Sequence, residues 1–129
     1  MLNPDSVGRT FEGAELVTVT QSQIDAFCAV LSESDTSVAP PTFAIRITLE
    51  QSQKILSDPK IGLDWTRIVH GDQRFEIKKP IVAGDMFKCT STIESYKVSD
   101  GNEFVVIRSD LNSDNQLVVS TWSTLVVRA

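Results

Sequence analysis

Histidine is almost absent from this chain: His70 is the single one among 129 residues. One imidazole and no Cys/His cluster exclude a histidine-built metal centre, so Asp72 and Glu76 on one strand are set aside as metal ligands. Cysteine is scarce too, with only Cys28 and Cys89 and no CxxC spacing. That excludes a disulfide framework and fits a reduced, cytosolic protein, which argues against a Cys28–Cys89 bridge. Basic clusters are missing apart from Lys78-Lys79, and the net charge is −5. Nucleic acid and anionic membranes are thereby disfavoured as partners, because both demand a basic footprint. No apolar run is long enough to cross a bilayer. The opening residues, Met1-Leu2-Asn3-Pro4-Asp5, carry no basic region and no apolar stretch, so no secretion signal is expected.

A hydrophobic content of 41% and a charged content of 22% are ordinary for a globular chain. A length of 129 residues predicts one domain, 1–129, with enough surface to bury without staples.

The organising stretch is 39–56, which predicts a helix of about four turns. Pro40 and Pro41 suit its start, where a missing N–H costs nothing. Thr42 is placed to accept from a free first-turn amide. Ile45, Leu49, Ser52 and Leu56 form one stripe, widened by Ile47 and Ile55 and anchored by Phe43. Asp58-Pro59 ends it. This helix is apolar over more than one narrow face and needs a large partner surface.

Strands supply that surface. Residues 7–11 read as a lead-in, and 15–20 as a strand. Thr20-Gln21-Ser22-Gln23 is a capping box opening a helix with Ile24, Phe27, Cys28 and Leu31 on one face. A polar loop over 32–37 follows. Residues 63–77 read as a strand with His70, Asp72, Arg74 and Glu76 on one face and Val69, Gly71, Gln73, Phe75 and Ile77 on the other. After a turn at Gly84, strands over 86–98 and 103–111 meet through Asp100-Gly101, a strong hairpin signal. The last strand, 116–128, sets Leu117, Val119, Leu125 and Val127 against Val118, Trp122 and Val126. Two early helices followed by strands predict an α+β fold: an antiparallel sheet of about five strands wrapped around one long helix, the hot-dog arrangement.

Three stretches carry a resemblance. Ala39-Pro40-Pro41-Thr42-Phe43 resembles the start of the central helix in MaoC-like hydratases and dehydratases. Ile68-Val69-His70-Gly71-Asp72-Gln73-Arg74-Phe75-Glu76 and Lys79-Pro80-Ile81-Val82-Ala83-Gly84-Asp85 resemble the matching strand and turn of that family's N-terminal-type branch. The likeness runs from Val7 to Arg128 and is closest to the accessory, non-catalytic subunits of actinobacterial heterodimeric (3R)-hydroxyacyl-ACP dehydratases. It implies an acyl thioester as ligand, on acyl carrier protein or CoA, no cofactor, and a dimer with itself or with a catalytically complete relative. It also implies that Pro41, Thr42, Phe43, His70 and Gly71 border the ligand.

Active members carry an Asp and a His separated by four residues ahead of the central helix. Dehydration of a 3-hydroxyacyl thioester needs a base at C2 and an acid at the leaving hydroxyl. The helix N-terminus steadies the developing enolate. Here Asp35 occupies the acidic position, but the residue five further on is Pro40. No catalytic residue is therefore expected. Asp35, His70 and Glu50 remain weak candidates. Asp35 is half of such a pair or a turn-forming carboxylate in a serine-rich loop. His70 meets the thioester and its arm, or makes structural hydrogen bonds. Glu50 directs water at a thioester, as in some hot-dog thioesterases, or belongs to a solvated row with Arg46 and Lys54. Lys78-Lys79 greets an acidic carrier protein or ends a strand in solvent. The readings carried forward are an accessory dehydratase subunit, an acyl-CoA thioesterase using Glu50, and a non-enzymatic acyl-binding homodimer.

Overall fold

The computed structural model describes residues Met1–Ala129. Five strands form one antiparallel sheet: β1 (Thr10–Thr18), β2 (Ile68–Ile77), β3 (Met86–Ser99), β4 (Asn102–Ser113) and β5 (Gln116–Val127). Their order is β1-β3-β4-β5-β2, so β1 and β2 are the open edges. Helix α1 (Gln21–Val30) follows β1, and helix α2 (Ala44–Ile55) lies across the sheet's inner face. This is the hot-dog arrangement that the element order predicts.

The capping box forms as expected. Gln23 N–H donates to Thr20 Oγ1 at 3.2 Å, and Thr20 N–H donates to Gln23 Oε1 at 3.1 Å. Ile24 and Cys28 of α1 are fully buried, whereas Leu31 caps the helix and is exposed rather than on the buried face. Asp100 and Gly101 both take positive φ in the β3–β4 turn, as a two-residue hairpin requires. Both cysteines are buried and free.

Helix α2 starts later than the sequence suggests. Pro40 has φ −56° and ψ 150°, an extended conformation forced by the proline after it. Pro41–Phe43 then makes one 3₁₀ turn before the α-helix begins. Thr42 makes no cap: neither turn nor helix has a side chain bonded to its first amides. The buried face also differs. Ala44, Ile47, Thr48 and Ser52 face the sheet, while Ile45 and Leu49 are only half-buried. Gln51, Lys54 and Ile55 border the β1 side, so Ile45 and Leu49 lie on the opposite flank, toward β5 and β2.

Four bulges interrupt the ladders, one of them between Ile93 and Ser95 of β3; three others shift side chains relative to a simple alternation. One falls between Glu12 and Leu16, leaving Leu16 exposed and Val17 inside. One falls between Leu111 and Asn112, so Val118 and Val119 are both buried and Leu117 is exposed. The third lies between His70 and Asp72. His70 pairs with Leu125 and Gln73 with Ser123, so both share the inner face with Phe75 and Ile77. Simple alternation in the sequence places His70 with Asp72, Arg74 and Glu76; the extra residue at Gly71 moves it to the other side. The strand itself starts only at Ile68, because Asp64 accepts from Thr66 N–H at 3.0 Å and winds Trp65–Arg67 into a 3₁₀ turn.

The core has two apolar parts. One gathers Phe43, Ala44 and Ile47 with Ile24, Phe87, Leu111 and Val119. The other gathers Leu56, Ile93, Val105, Ile107 and Leu125, with Leu2 against it. Between them a row of small hydroxyls crosses the sheet: Ser91 opposes Ser109, and Ser109 opposes Thr121. Thr48 and Ser52 of α2 are also buried. Ser91 and Ser109 share a 2.9 Å hydrogen bond, but the hydroxyls of Thr48 and Thr121 have no partner.

Candidate functional site

A larger and more polar hollow of about 470 Å³ lies between β1 and the C-terminal half of α2, but the head of α2 carries the more apolar of the concave sites. An apolar cleft of about 180 Å³ lies there, small for a whole ligand but enough for part of one. One wall is Val38, Ala39, Pro40 and Pro41; the other is Ile77, Pro80 and Ile81. The wall is held in place by Ala39 N–H, which donates to Ile81 O at 2.8 Å. Phe43 is fully buried in the core that also takes Ala39 and Ile81, and packs edge-on against Phe27, ring centres 5.4 Å apart. On the other side of the same proline segment is a shallow, acidic hollow bordered by Glu33 and Asp35. No side chain caps the first turn of α2; the 3₁₀ turn ahead of it engages Phe43 N–H on Pro40 O at 2.9 Å and Ala44 N–H on Thr42 O.

Asp35 is committed to its own loop. Its Oδ1 accepts from Ser37 Oγ at 2.6 Å and from Ser37 N–H at 3.0 Å. Those bonds hold its carboxyl below the usual range, with the Ser37 hydroxyl contributing most. A carboxylate so stabilised is a weak base. Position 40, where an imidazole would complete a dyad, is proline. His70 is exposed, and its Nε2 lies 3.0 Å from Asp72 O. It sits seven residues before Ile77 on β2, about 20 Å along the strand from the cleft. Within one chain the structure therefore places Pro41 in the cleft wall, Thr42 in solvent and Phe43 in the adjoining core, and leaves His70 and Gly71 at the far end of β2.

Glu50 points to solvent and pairs with Lys54 at 3.2 Å, with both side chains more than 60% exposed. No second polar group joins it. Lys78 pairs with Glu76 across one pleat. Burial pushes both thiols up, Cys89 to about 12, the opposite of the lowered pKa that activates a cysteine nucleophile. Ile77, Pro80 and Ile81 are cleft residues that the sequence alone does not assign to a site. The Lys79-Pro80 break directly after a strand is the available signal.

An antiparallel sheet around a helix defines the hot-dog fold, and MaoC-like dehydratases recur among the structures that share it. The chain belongs to the family described as FAS1-like, dehydratase domain region, whose profile matches residues 24–121. A UPF0336 protein of Streptomyces griseus is 35% identical over 144 aligned positions, covering 99% of this chain and 96% of that protein. A UPF0336 protein of Streptomyces coelicolor is 43% identical over 93 residues, covering 71% of this chain and 62% of its own length. The HadBC (3R-hydroxyacyl-ACP dehydratase) complex from Mycobacterium tuberculosis superposes with a TM-score of 0.82 at 24% identity, over 97% of this chain and 99% of that one. At that identity the likeness concerns the fold.

Proposed function

We propose that this protein is a catalytically incomplete subunit of a hydroxyacyl thioester dehydratase. It pairs with a relative that carries the Asp/His dyad and walls the groove for the acyl chain. The observation that carries the reading is Pro40: the residue at the imidazole position has no side chain that can transfer a proton. Asp35 is held by Ser37, and the chain's one histidine lies at the far end of β2. The apolar cleft at the head of α2 remains. A subunit with this cleft can hold part of an acyl thioester. It cannot remove the C2 proton and protonate the leaving hydroxyl together. The similarity to a 3R-hydroxyacyl-ACP dehydratase complex supports both the substrate class and a shared assembly. The exposed Glu50–Lys54 pair gives no support to thioester hydrolysis.

The test is hydration of 2-enoyl thioesters by the purified chain, alone and with a dyad-bearing subunit. The expected result is no turnover alone and a gain in rate or stability when the two are mixed. Turnover by the chain alone, abolished in His70→Ala, would overturn the proposal.

A further inference from the structure

Both helices pack on one face of the sheet, and no element covers the other. Strand register lays this outer face out in levels. Phe104 of β4 lies beside Val126 of β5, and Val126 beside Val69 of β2. The next level holds Val106, Thr124 and Asp72, the one after it Arg108, Trp122 and Arg74, and the last Asp110, Ser120 and Glu76. On β3 the same levels carry Lys97, Ser95, Thr92 and Thr90, with Glu94 as the bulged residue before Ser95. Phe104, Val106, Trp122 and Val126 are half-buried by their neighbours in the sheet alone, and Val69 is exposed. An uncovered apolar face with an indole at its middle has the make-up of a contact surface. Cations lie on its rings: Arg74 is 3.8 Å over Trp122, and Lys97 is 5.3 Å from the centre of Phe104.

The charges around this patch select its occupant. If a second copy lies face to face with the first, about a two-fold axis parallel to the strands and between β4 and β5, each β4 covers the other copy's β5 and each β3 covers its β2. Level by level, Phe104 meets Val126, Val106 meets Thr124, and Arg108 meets the Trp122 ring. Along β3 and β2, Glu94 comes beside Arg74 and Lys97 beside Asp72, each within one level. Other placements fail. With the axis over β4, Arg108 meets itself and Glu12 meets Glu76; over β5, Arg108 meets Arg74 and Asp110 meets Glu76. Between β3 and β4, Val126 and Val69 stay uncovered, because β1 begins only at Thr10, level with Trp122. An axis across the strands sets Arg74 or Asp72 on itself at their own levels, and between those levels sets Asp110 on Phe104. Opposite charges facing each other favour association and like charges oppose it. In the favoured placement only Lys78 and Lys88 approach as like charges, at the rim, and each carries its own carboxylate, Glu76 and Glu12.

We propose that the outer face of the sheet binds the outer face of a second copy of this chain, with Trp122 of each copy over Arg108 of the other. Facing sheets pack about 10 Å apart, within reach of these long side chains. A footprint of four strands by four levels measures about 20 Å on a side, at the small end of specific interfaces, so the association is weak and depends on concentration. Both helices and the cleft at the head of α2 stay outside the contact. The inference therefore goes beyond the dehydratase reading and does not depend on it. Two copies that each hold a dyad-bearing subunit would be joined back to back into a four-chain assembly.

Sedimentation over a concentration series reads the association. Lys97→Asp and Asp72→Lys are each expected to raise its dissociation constant at least about tenfold, since every change counts twice across the axis. The two together should restore wild-type association. Within one chain β4 and β5 separate Lys97 from Asp72 by about 14 Å, so that recovery arises between chains. Val126→Asp, in the apolar centre, should abolish the association, and circular dichroism confirms that each variant is folded. A mixture of Ser95→Cys and Asp72→Cys chains should be joined by a short bis-maleimide, and neither alone should be; the two native cysteines are buried. An association indifferent to Lys97→Asp, a double variant as weak as the single ones, or a mixture that does not cross-link overturns the proposal. So does a face that binds only the dyad-bearing subunit. Turnover with that subunit is scored separately and decides nothing here.

Discussion

The hydroxyl row beneath α2 makes a sharp energetic prediction. Thr121 is 1% exposed, and its hydroxyl meets no partner. Burying an unpaired hydroxyl costs about 1–3 kcal/mol. Valine has nearly the same shape and suits a strand. Thr121→Val should therefore stabilise the fold by about 1 kcal/mol, part of the gain being lost to imperfect packing. For 129 residues an unfolding entropy of about 0.27 kcal/mol/K converts this into a Tm about 4 °C higher. Ser109 lies in the same row but differs in one respect: its hydroxyl bonds Ser91 at 2.9 Å. Ser109→Ala strands the Ser91 hydroxyl and should cost about 1–3 kcal/mol, or about 4–11 °C. Removing both, as Ser91→Ala with Ser109→Ala, should recover most of that loss. Calorimetry at one fixed protein concentration is the assay, because any self-association raises Tm by mass action. A lower Tm for Thr121→Val would refute the reasoning by showing that its hydroxyl is satisfied.

Other predictions follow from single contacts. Phe43→Ala removes a fully buried ring from the core behind the cleft wall and should cost about 3–5 kcal/mol by chemical denaturation. Glu103 is 6% exposed; burial raises its pKa, but the Tyr96 hydroxyl and the Leu2 amide more than offset that and leave it lowered. A lowered folded pKa contributes stability that is present above the unfolded value of about 4.3 and is lost as pH falls through the folded one. Glu103→Gln should thus be destabilised at neutral pH, and its gap to wild type should close below about pH 4 in pH-dependent melts. Glu50→Ala should leave both stability and any partner-dependent turnover within about 0.5 kcal/mol of wild type, since it removes only an exposed ion pair.

The sheet and central helix were legible because their signals are local and periodic: the Thr20–Gln23 box, the Asp100-Gly101 turn and alternating strands up to the last. What escaped was parity. An extra residue in a strand reverses every side chain beyond it, and nothing in the letters announces it except an isolated glycine such as Gly13 or Gly71. Alternation alone therefore misplaces the face of His70, and likewise Leu117 and Val118. On the central helix Phe43, Ile47, Ser52 and Leu56 are buried as the period predicts, but Ala44 and Thr48 take the inner places expected of Ile45 and Leu49, because a period does not say which flank meets the sheet. The head of the helix was legible through Ala39 to Phe43, but the opposite cleft wall, Ile77 to Ile81, comes from a tertiary meeting that no local pattern encodes.

The bulge at Gly71 matters for comparing relatives. Two homologues could share every letter around the histidine, yet differ by one inserted position between it and the following aspartate. In one the ring would look inward, in the other outward, and column-by-column matching would count them as equivalent. Deleting Gly71 from this chain should thus act as a frameshift in space, leaving composition almost untouched while turning the ring to the opposite surface.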